Sequence, residues 1–509
     1  MKNLRIDSFL LSLTLVSLTA TLLRIYHLGY NDLWYDEAFS LYRALGHYPK
    51  IDPQPPLYFL LLRFWTILLD KSEFSLRMFS VIPAALSIIL VYKIGAFLLD
   101  KKTALFSAII LSFSPMHIWY SQEVRPFSLF TLLTLISVYY FCLALKSEKR
   151  NYYWIITCLT LTISFYVSHV TFLLITALSL VFIIRPYRCL FRIWLLCIFI
   201  SLLLFSPWLS TFFMHLRFVT HNFWVVKPNL KQILFTIENF NLGYTATPLM
   251  YLSSWVLFGG LFFFGIFNLF RNRKGDILLI LCTVFILPII YLFLISQKYP
   301  IYLDRHLVSF MPFYYLVVSY GLINLKLYLK LISSFFMIFL VVLSLSFYYL
   351  GYAPSPLMHH LGAYDKKPFK TAVRFILNRE ENQDIIAITN EGIVVPFGYY
   401  LEVNPADKNI RFYQRGVYNF FCRDTLDDYW TDVYDLYKDH KKDMLIDISK
   451  VDDTSAISAY RRIWLVSGSW ARDYTLDSNS IAVRDWIKVY YERVYEKWID
   501  GILIGLYVK

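Results

Sequence analysis

The stretch Trp34-Tyr35-Asp36-Glu37-Ala38-Phe39-Ser40 sets two adjacent carboxylates among aromatic residues. A second run follows, Asp52-Pro53-Gln54-Pro55-Pro56-Leu57-Tyr58. Arginines come later, in Leu76-Arg77-Met78-Phe79-Ser80, in Tyr120-Ser121-Gln122-Glu123-Val124-Arg125-Pro126-Phe127 and in Asp304-Arg305-His306-Leu307. A carboxylate can take a proton from an incoming hydroxyl or amine. A guanidinium matches phosphate oxygens through its planar fork and stays charged at any working pH. Carboxylates and arginines on one membrane face suit a reaction on a lipid-phosphate substrate. Each residue also has a plainer reading. Asp36 and Glu37 can be a solvated pair capping a short helix, and Arg77 can pair with Glu73 at four-residue spacing. Glu123 and Arg125 can form a local ion pair, and His169 can be a satisfied corner histidine. Arg305 and His306 can anchor a helix end at the interface.

The elements that must position these groups are apolar. The chain has 509 residues, 58% of them hydrophobic and 19% aromatic. With a mean hydropathy of +0.51, that is too apolar for a soluble protein of this length. The reading is a polytopic α-helical membrane protein with a C-terminal soluble part. The net charge of +13 needs no nucleic acid, because basic clusters fall between apolar runs. The six cysteines show no metal-ligand spacing, and only Cys422 lies in the soluble part.

Length and flanking charge place eleven spans, near 8–26, 80–99, 104–118, 127–145, 152–168, 170–184 and 193–209, one ending at Arg271, then 277–295, one ending near Lys326, and 331–349. The apolar run Leu57–Leu69 falls short of the roughly twenty residues a bilayer needs, so it reads as an interfacial helix. This scheme puts Lys101, Lys149 and Arg273 in the cytoplasm with the N-terminus. It brings Asp36, Glu37, Asp52, Gln54, Arg77, Gln122, Glu123, Arg125, His169, His215, His221, Arg305 and His306 to the opposite face. Few ionisable residues fall inside spans, which disfavours an ion-coupled transporter.

Composition changes near Gly351, with Pro354 and Pro356 marking the exit. A helix is expected over Phe369–Arg379 and strands over Asp384–Thr389 and Arg462–Ser467. A long amphipathic segment over Ile481–Trp498 precedes a last strand, Ile502–Val508. The organisation is thus a transmembrane part, 1–350, with a first external loop 27–79, and a soluble α/β or α+β domain, 351–509.

The order of Asp36-Glu37, Pro55-Pro56-Leu57-Tyr58, the three arginine boxes, Ser114-Pro115 and Ser206-Pro207-Trp208 resembles the dolichyl-phosphate-mannose–protein mannosyltransferases, glycosyltransferase family 39. The resemblance is to the prokaryotic branch, which includes the lipid A aminoarabinose transferases. It implies a C-type glycosyltransferase fold, a polyprenyl-phosphate sugar donor and work on the extracytoplasmic side. Many members carry histidine where this chain has Gln54, and tyrosine where it has Phe127 and His306.

The resemblance implies an inverting transfer in which the acceptor attacks the anomeric carbon as polyprenyl phosphate leaves. Asp36 is the expected base, with Glu37 orienting the acceptor or holding its helix. Arg125 and Arg305, and Arg77 with them, are expected on the leaving phosphate. Gln54, Tyr58, Glu123, His169 and His306 are the expected substrate contacts. No cofactor is required in principle, and a divalent metal is compatible. The expected partners are a lipid, glycan or protein acceptor and membrane lipids. A flippase for lipid-linked sugars is the alternative, and it would need polar groups along a transmembrane path.

Overall fold

The computed structural model of the protein describes residues 8–46, 54–147, 150–222, 225–352, 366–379, 381, 384–389, 391–403, 445–447, 458, 460–468 and 476–509. The exit prolines Pro354 and Pro356, Lys149 and Cys422 lie outside them. The chain divides into two units, Met1–Leu28 with Pro53–Ala363, and Gly29–Asp52 with Tyr364–Lys509. The sequence reading kept 27–79 with the membrane part. Gly29–Asp52 instead groups with the C-terminal residues.

In chain order the helices begin with α1 (Ser8–Ile25), α2 (Tyr35–Ala44, in the second unit), α3 (Leu57–Leu68), α4 (Glu73–Leu98) and α5 (Lys101–Phe113). Then come α6 (Pro115–Ser121), α7 (Phe127–Lys146), α8 (Arg150–Phe165), α9 (Thr171–Ser179), α10 (Phe191–Phe205) and α11 (Leu209–Asn222). The first unit closes with α12 (Leu230–Leu242), α13 (Pro248–Ser254), α14 (Gly260–Arg271), α15 (Gly275–Ser296), α16 (Met311–Ile323) and α17 (Leu327–Tyr349).

Among the described residues, eight helices are long and apolar enough to cross a membrane, or nine if the bent pair α5–α6 counts as one span. The remaining two expected spans are shorter apolar helices, Arg150–Phe165 of 16 residues and Thr171–Ile183. Leu57–Leu68 is a helix of 12 residues, near the expected length.

Local chemistry sets the boundaries that matter for the site. Ser114 precedes a proline and so leaves the helical region, and its hydroxyl accepts the His117 N–H at 3.2 Å. Pro115 then starts α6, and the chain bends by 58° between α5 and α6. Asn229 and Gln232 cap α12 reciprocally, and Gly243, at φ +69°, ends it.

The span Asp304–Ile323 is 89% buried, against 17% for Ser8–Ile25, so α16 is the central helix of this unit. Glycine lets α14 approach it. A Cβ on Gly265 would lie 2.3 Å from the Val317 carbonyl oxygen, and one on Gly321 2.0 Å from that of Leu261.

The second unit carries a five-stranded mixed sheet in the order β2-β1-β3-β5-β4. The strands are β1 (Ile385–Ile388), β2 (Leu445–Asp447), β3 (Arg462–Gly468), β4 (Glu492–Ile499) and β5 (Ile502–Val508). The β1 strand pairs in parallel with β2 and β3, while β5 pairs antiparallel with β3 and β4. The helices are α18 (Phe369–Leu377), α19 (Glu391–Val403) and α20 (Ser478–Tyr490). The expected continuous segment Ile481–Trp498 is in fact α20 followed by β4. A two-residue turn at Asp500-Gly501, both at positive φ, folds β4 back on β5. The core of the sheet buries Ile385, Ile463 and Leu465 against Val483 and Ile487 of α20.

Replacing Gly321 by Val should destabilise the membrane unit by about 3 kcal/mol or more, because a backbone carbonyl cannot move aside. Gly260→Ala on α14 meets open space and should be nearly neutral. Thermal unfolding of the purified variants in detergent measures both.

Candidate functional site

Helix α6 is wholly buried, although it carries His117, Trp119 and Tyr120. Arg24 of α1 reaches it from below, also fully buried. Its guanidinium donates to the carbonyls of Ala20, Leu111 and Ser112 at 2.9, 3.2 and 2.8 Å, and to His117 Nδ1 at 2.8 Å. A guanidinium has only donors, so Nδ1 accepts and the ring proton is assigned to Nε2. Gln122, at the end of α6, donates to the carbonyls of Arg24 and Tyr26 at 2.8 and 2.9 Å and accepts from Tyr348 of α17 at 2.5 Å. The end of α6 is thereby tied to α1 and α17.

On its other side α6 meets a buried carboxylate. Asp304 Oδ2 accepts from Asn239 at 2.7 Å, and Oδ1 accepts from the Tyr244 hydroxyl at 2.7 Å. The Tyr244 proton is spent there, so the Tyr120 hydroxyl, 2.5 Å from Tyr244, is the donor of that pair. Burial, and then the Asp304 charge, push the Tyr244 phenol well above its usual value, which keeps it a donor. The result is one directed chain, Tyr120 to Tyr244 to Asp304, with Asn239 on the far oxygen.

The next residue along from Asp304 is an expected site residue. Arg305 lies 6.0 Å from the centre of the Phe127 ring and Arg125 lies 5.8 Å from it. The His306 ring is 6.4 Å from the same centre. Tyr120 packs edge-on against Phe127 at 5.0 Å, which joins the arginine group to the hydrogen-bonded chain. Glu123 is buried and accepts from the Trp119 indole at 2.8 Å. Three of the expected residues, Arg125, Arg305 and His306, therefore gather around one aromatic ring, with Glu123 held next to α6.

Other expected residues lie apart from that group. Arg77 is fully buried and donates to the Leu28 carbonyl at 2.9 Å, a contact that anchors the end of α1. Tyr58 is buried between Phe59 and Phe79, each 5.4 Å away centre to centre. Gln54 is half-buried ahead of α3, and the Leu57 N–H donates to the Tyr166 carbonyl at 2.9 Å. His169 stands in the corner between α8 and α9, edge-on to Phe212 at 4.9 Å. Asp52 lies outside the described residues, as do the side chains of His215 and His221.

Asp36 and Glu37 belong to the second unit. They occupy the first turn of α2, where negative charge favours the helix. Glu37 is fully buried, accepts from the Trp34 N–H at 3.4 Å and lies 3.8 Å from the Lys366 ammonium. Asp36 is half-buried, and its carbonyl accepts from the Ser40 hydroxyl at 2.8 Å. Among the described residues no group of three or more His, Cys, Asp or Glu side chains is placed to hold a metal ion.

Sequence reasoning did not single out Arg24, His117, Asn239, Tyr244 or Asp304. Arg24 did carry a signal, an arginine at the end of an apolar run. Asp304 stands beside Arg305 and Asn239 beside Glu238, but no spacing in the sequence links them with His117 and Tyr244, and only the fold brings them together.

Residues 53–210 match the family model described as dolichyl-phosphate-mannose-protein mannosyltransferase. That range holds the Pro55-Pro56-Leu57-Tyr58 box and the first two arginine boxes, while Asp36-Glu37 and Arg305 lie beyond it. No curated protein matches the sequence. The chain is similar to the crystal structure of ArnT from Cupriavidus metallidurans in the apo state, at 12% identity and TM-score 0.61, over 97% of both chains. ArnT bound to undecaprenyl phosphate matches at 12% identity and TM-score 0.58, again over 97% of both chains. The archaeal oligosaccharyltransferase AglB from Archaeoglobus fulgidus, in complex with an inhibitory peptide and a dolichol-phosphate, matches at 11% identity and TM-score 0.51. That match covers 98% of this chain and 74% of AglB. The likeness establishes the fold, which is the C-type glycosyltransferase fold expected from the sequence.

Tyr244→Phe leaves the Tyr120 hydroxyl and an Asp304 oxygen each one partner short. It should cost about 1–3 kcal/mol of stability, the range for stranding a buried polar group. Tyr120→Phe and Tyr244→Phe together should cost less than the two separately, because both remove the same link. Denaturant unfolding of the two singles and the double provides the comparison.

Proposed function

We propose that the protein is an integral-membrane glycosyltransferase that moves a sugar from a polyprenyl-phosphate donor to an acceptor on the extracytoplasmic face. The observation that carries this reading is the placement of Arg125 and Arg305 around Phe127, beside the buried Asp304 chain. Two guanidinium groups on one ring suit an anion with several oxygens, and a phosphate leaving with a lipid tail is such an anion. The shared fold supports it, since one relative is bound to undecaprenyl phosphate and another to a dolichol-phosphate. The flippase alternative has less support, because Arg125, Arg305 and His306 gather around Phe127.

The reaction is an inverting displacement. The acceptor attacks the anomeric carbon, the bond from that carbon to the phosphate oxygen breaks, and polyprenyl phosphate leaves with the electron pair. Asp36 takes the acceptor's proton, and Arg125 and Arg305 neutralise the charge that develops on the leaving phosphate. His306 and Glu123 contact the substrate beside the arginines, and Gln54, Tyr58 and His169 complete the proposed substrate contacts. Arg77, which donates to the Leu28 carbonyl, is the third proposed phosphate contact. The chemistry has no formal need of a cofactor. The acceptor is a lipid, a glycan or a protein.

Asp36→Asn removes the base and should lower turnover by roughly two to four orders of magnitude, with donor affinity little changed. Arg125→Lys and Arg305→Lys should weaken turnover and donor affinity together, because a point charge cannot reproduce bidentate contacts. Sugar transfer from a polyprenyl-phosphate donor, assayed beside binding of the bare lipid phosphate, tests both. Wild-type turnover in Asp36→Asn would end the base assignment.

The N-terminus is proposed to be cytoplasmic and the C-terminal domain extracytoplasmic, from the basic residues that flank the spans. Cysteines introduced at Lys101, Lys149 and Arg273 should then label only after the membrane is permeabilised. Labelling of intact cells at position 149 would overturn this orientation.

A further inference from the structure

The helix that carries Asp36 is built into the second unit by contacts with residues more than three hundred positions away in sequence. Asp32, just ahead of α2, accepts the Lys370 N–H at 2.6 Å. Lys370 is the second residue of α18, whose own N-cap is Pro368 and offers no side-chain acceptor. Asp32 therefore supplies the cap that α18 lacks, and its other oxygen lies 3.8 Å from the Lys370 ammonium. The Leu33 N–H donates to the Tyr400 hydroxyl of α19 at 2.6 Å. Glu37, next to Asp36, has its buried charge balanced by Lys366 at 3.8 Å, and that lysine is itself mostly buried. Apolar burial completes the attachment, with Leu33, Ala38 and Leu41 at most 1% exposed.

We propose that Lys366 is a positioning residue for the transfer reaction: through Glu37 it fixes the first turn of α2, and so the aim of the Asp36 carboxylate. The C-terminal domain is then the scaffold of the base, and the acidic pair does not stand on a loop of the membrane part. This rests on the reading of Asp36 as the base. The physical ground is that the fully buried Glu37 carboxylate accepts from the Trp34 N–H and pairs with Lys366. Removing the lysine takes a counter-charge from a buried carboxylate, which favours a shift of the first turn toward water. A displacement of about 1 Å at a reacting group costs on the order of 100-fold in rate.

The test compares Lys366→Met, Lys366→Arg and Asp36→Asn as purified full-length protein, with turnover measured beside binding of bare polyprenyl phosphate. Lys366→Met should lower kcat by about 100-fold with lipid-phosphate affinity unchanged, and Lys366→Arg should recover most of the rate. Wild-type kcat in Lys366→Met overturns the inference. Loss of lipid-phosphate binding in step with kcat also overturns it, since the lysine would then act on the donor. If Lys366→Met does not accumulate, Lys366→Gln replaces it, because its amide can still donate to the buried carboxylate while lacking the charge, and the same outcomes decide. An inactive Asp36→Asn beside a fully active Lys366→Met sinks this inference alone. An active Asp36→Asn removes the reading beneath it.

Discussion

The buried carboxylate of Asp304 is the constraint on which the membrane unit's polar interior depends. An ionised group taken out of water costs several kcal/mol unless its oxygens are satisfied. Asn239 and Tyr244 satisfy them, one from the last turn of α12 and one from the loop just after it. Meeting both requires the end of α12 and the loop beyond it to lie against the turn that opens the central span. Gly243 makes that loop possible, since a Cβ there would lie 2.9 Å from Pro115. The bend at Ser114-Pro115, the glycine that ends α12 and the carboxylate at Asp304 are one geometric solution. The position of Arg305 follows from it, one residue along.

The same logic continues down the central helix. Tyr314 and Tyr315 are buried with their hydroxyls, and both find partners on elements near the site, while Tyr320 accepts from Asn272 after α14. Tyr314 donates to Asn241 at 3.0 Å, and Tyr315 donates to the Phe240 carbonyl with its oxygen 3.0 Å from the Ser114 hydroxyl. In a low-dielectric interior such bonds are costly to lose, so they fix the register of α16 against α6 and α12 more sharply than apolar packing would. The glycines of α14 and α16 do the complementary task, bringing the two backbones into contact where no side chain could fit.

Much of this fold could be read from the chain, because membrane spans are set by run length and by flanking charge. The eleven apolar runs all appear as helices, and the short run after Pro56 is a helix too. Two of the arginine boxes were legible as one group, and Arg125 and Arg305 do meet at one ring. The partners of Asp304 were not legible, since an Asn239 or Tyr244 in a mostly apolar segment has no periodicity to mark it. The division of the first loop was illegible for a different reason. Asp32 caps a helix 338 residues later, and no local pattern announces that. The hairpin between β4 and β5 was legible at Asp500-Gly501, a two-residue turn signal, but the break between α20 and β4 was not, because the amphipathic run reads equally well as one long helix.

On the proposed reading, Arg125 and Arg305 form the phosphate site before the donor arrives. Arg125 and Arg305 lie 5.8 and 6.0 Å from one ring centre, so their charges are at most about 12 Å apart. At an effective dielectric near 20 that separation implies repulsion of at least about 1.4 kcal/mol. Attraction of each guanidinium to the Phe127 ring, roughly 0.5–2 kcal/mol apiece, is of the size needed to offset it. A tyrosine at that position would add a hydroxyl that must be satisfied in a buried setting, whereas phenylalanine presents the ring alone. An arriving phosphate would then find both cations already in place, and the repulsion between them would become attraction to a shared anion. In the proposed reaction that attraction grows as the sugar departs and the phosphate gains charge, which is the point at which it lowers the barrier.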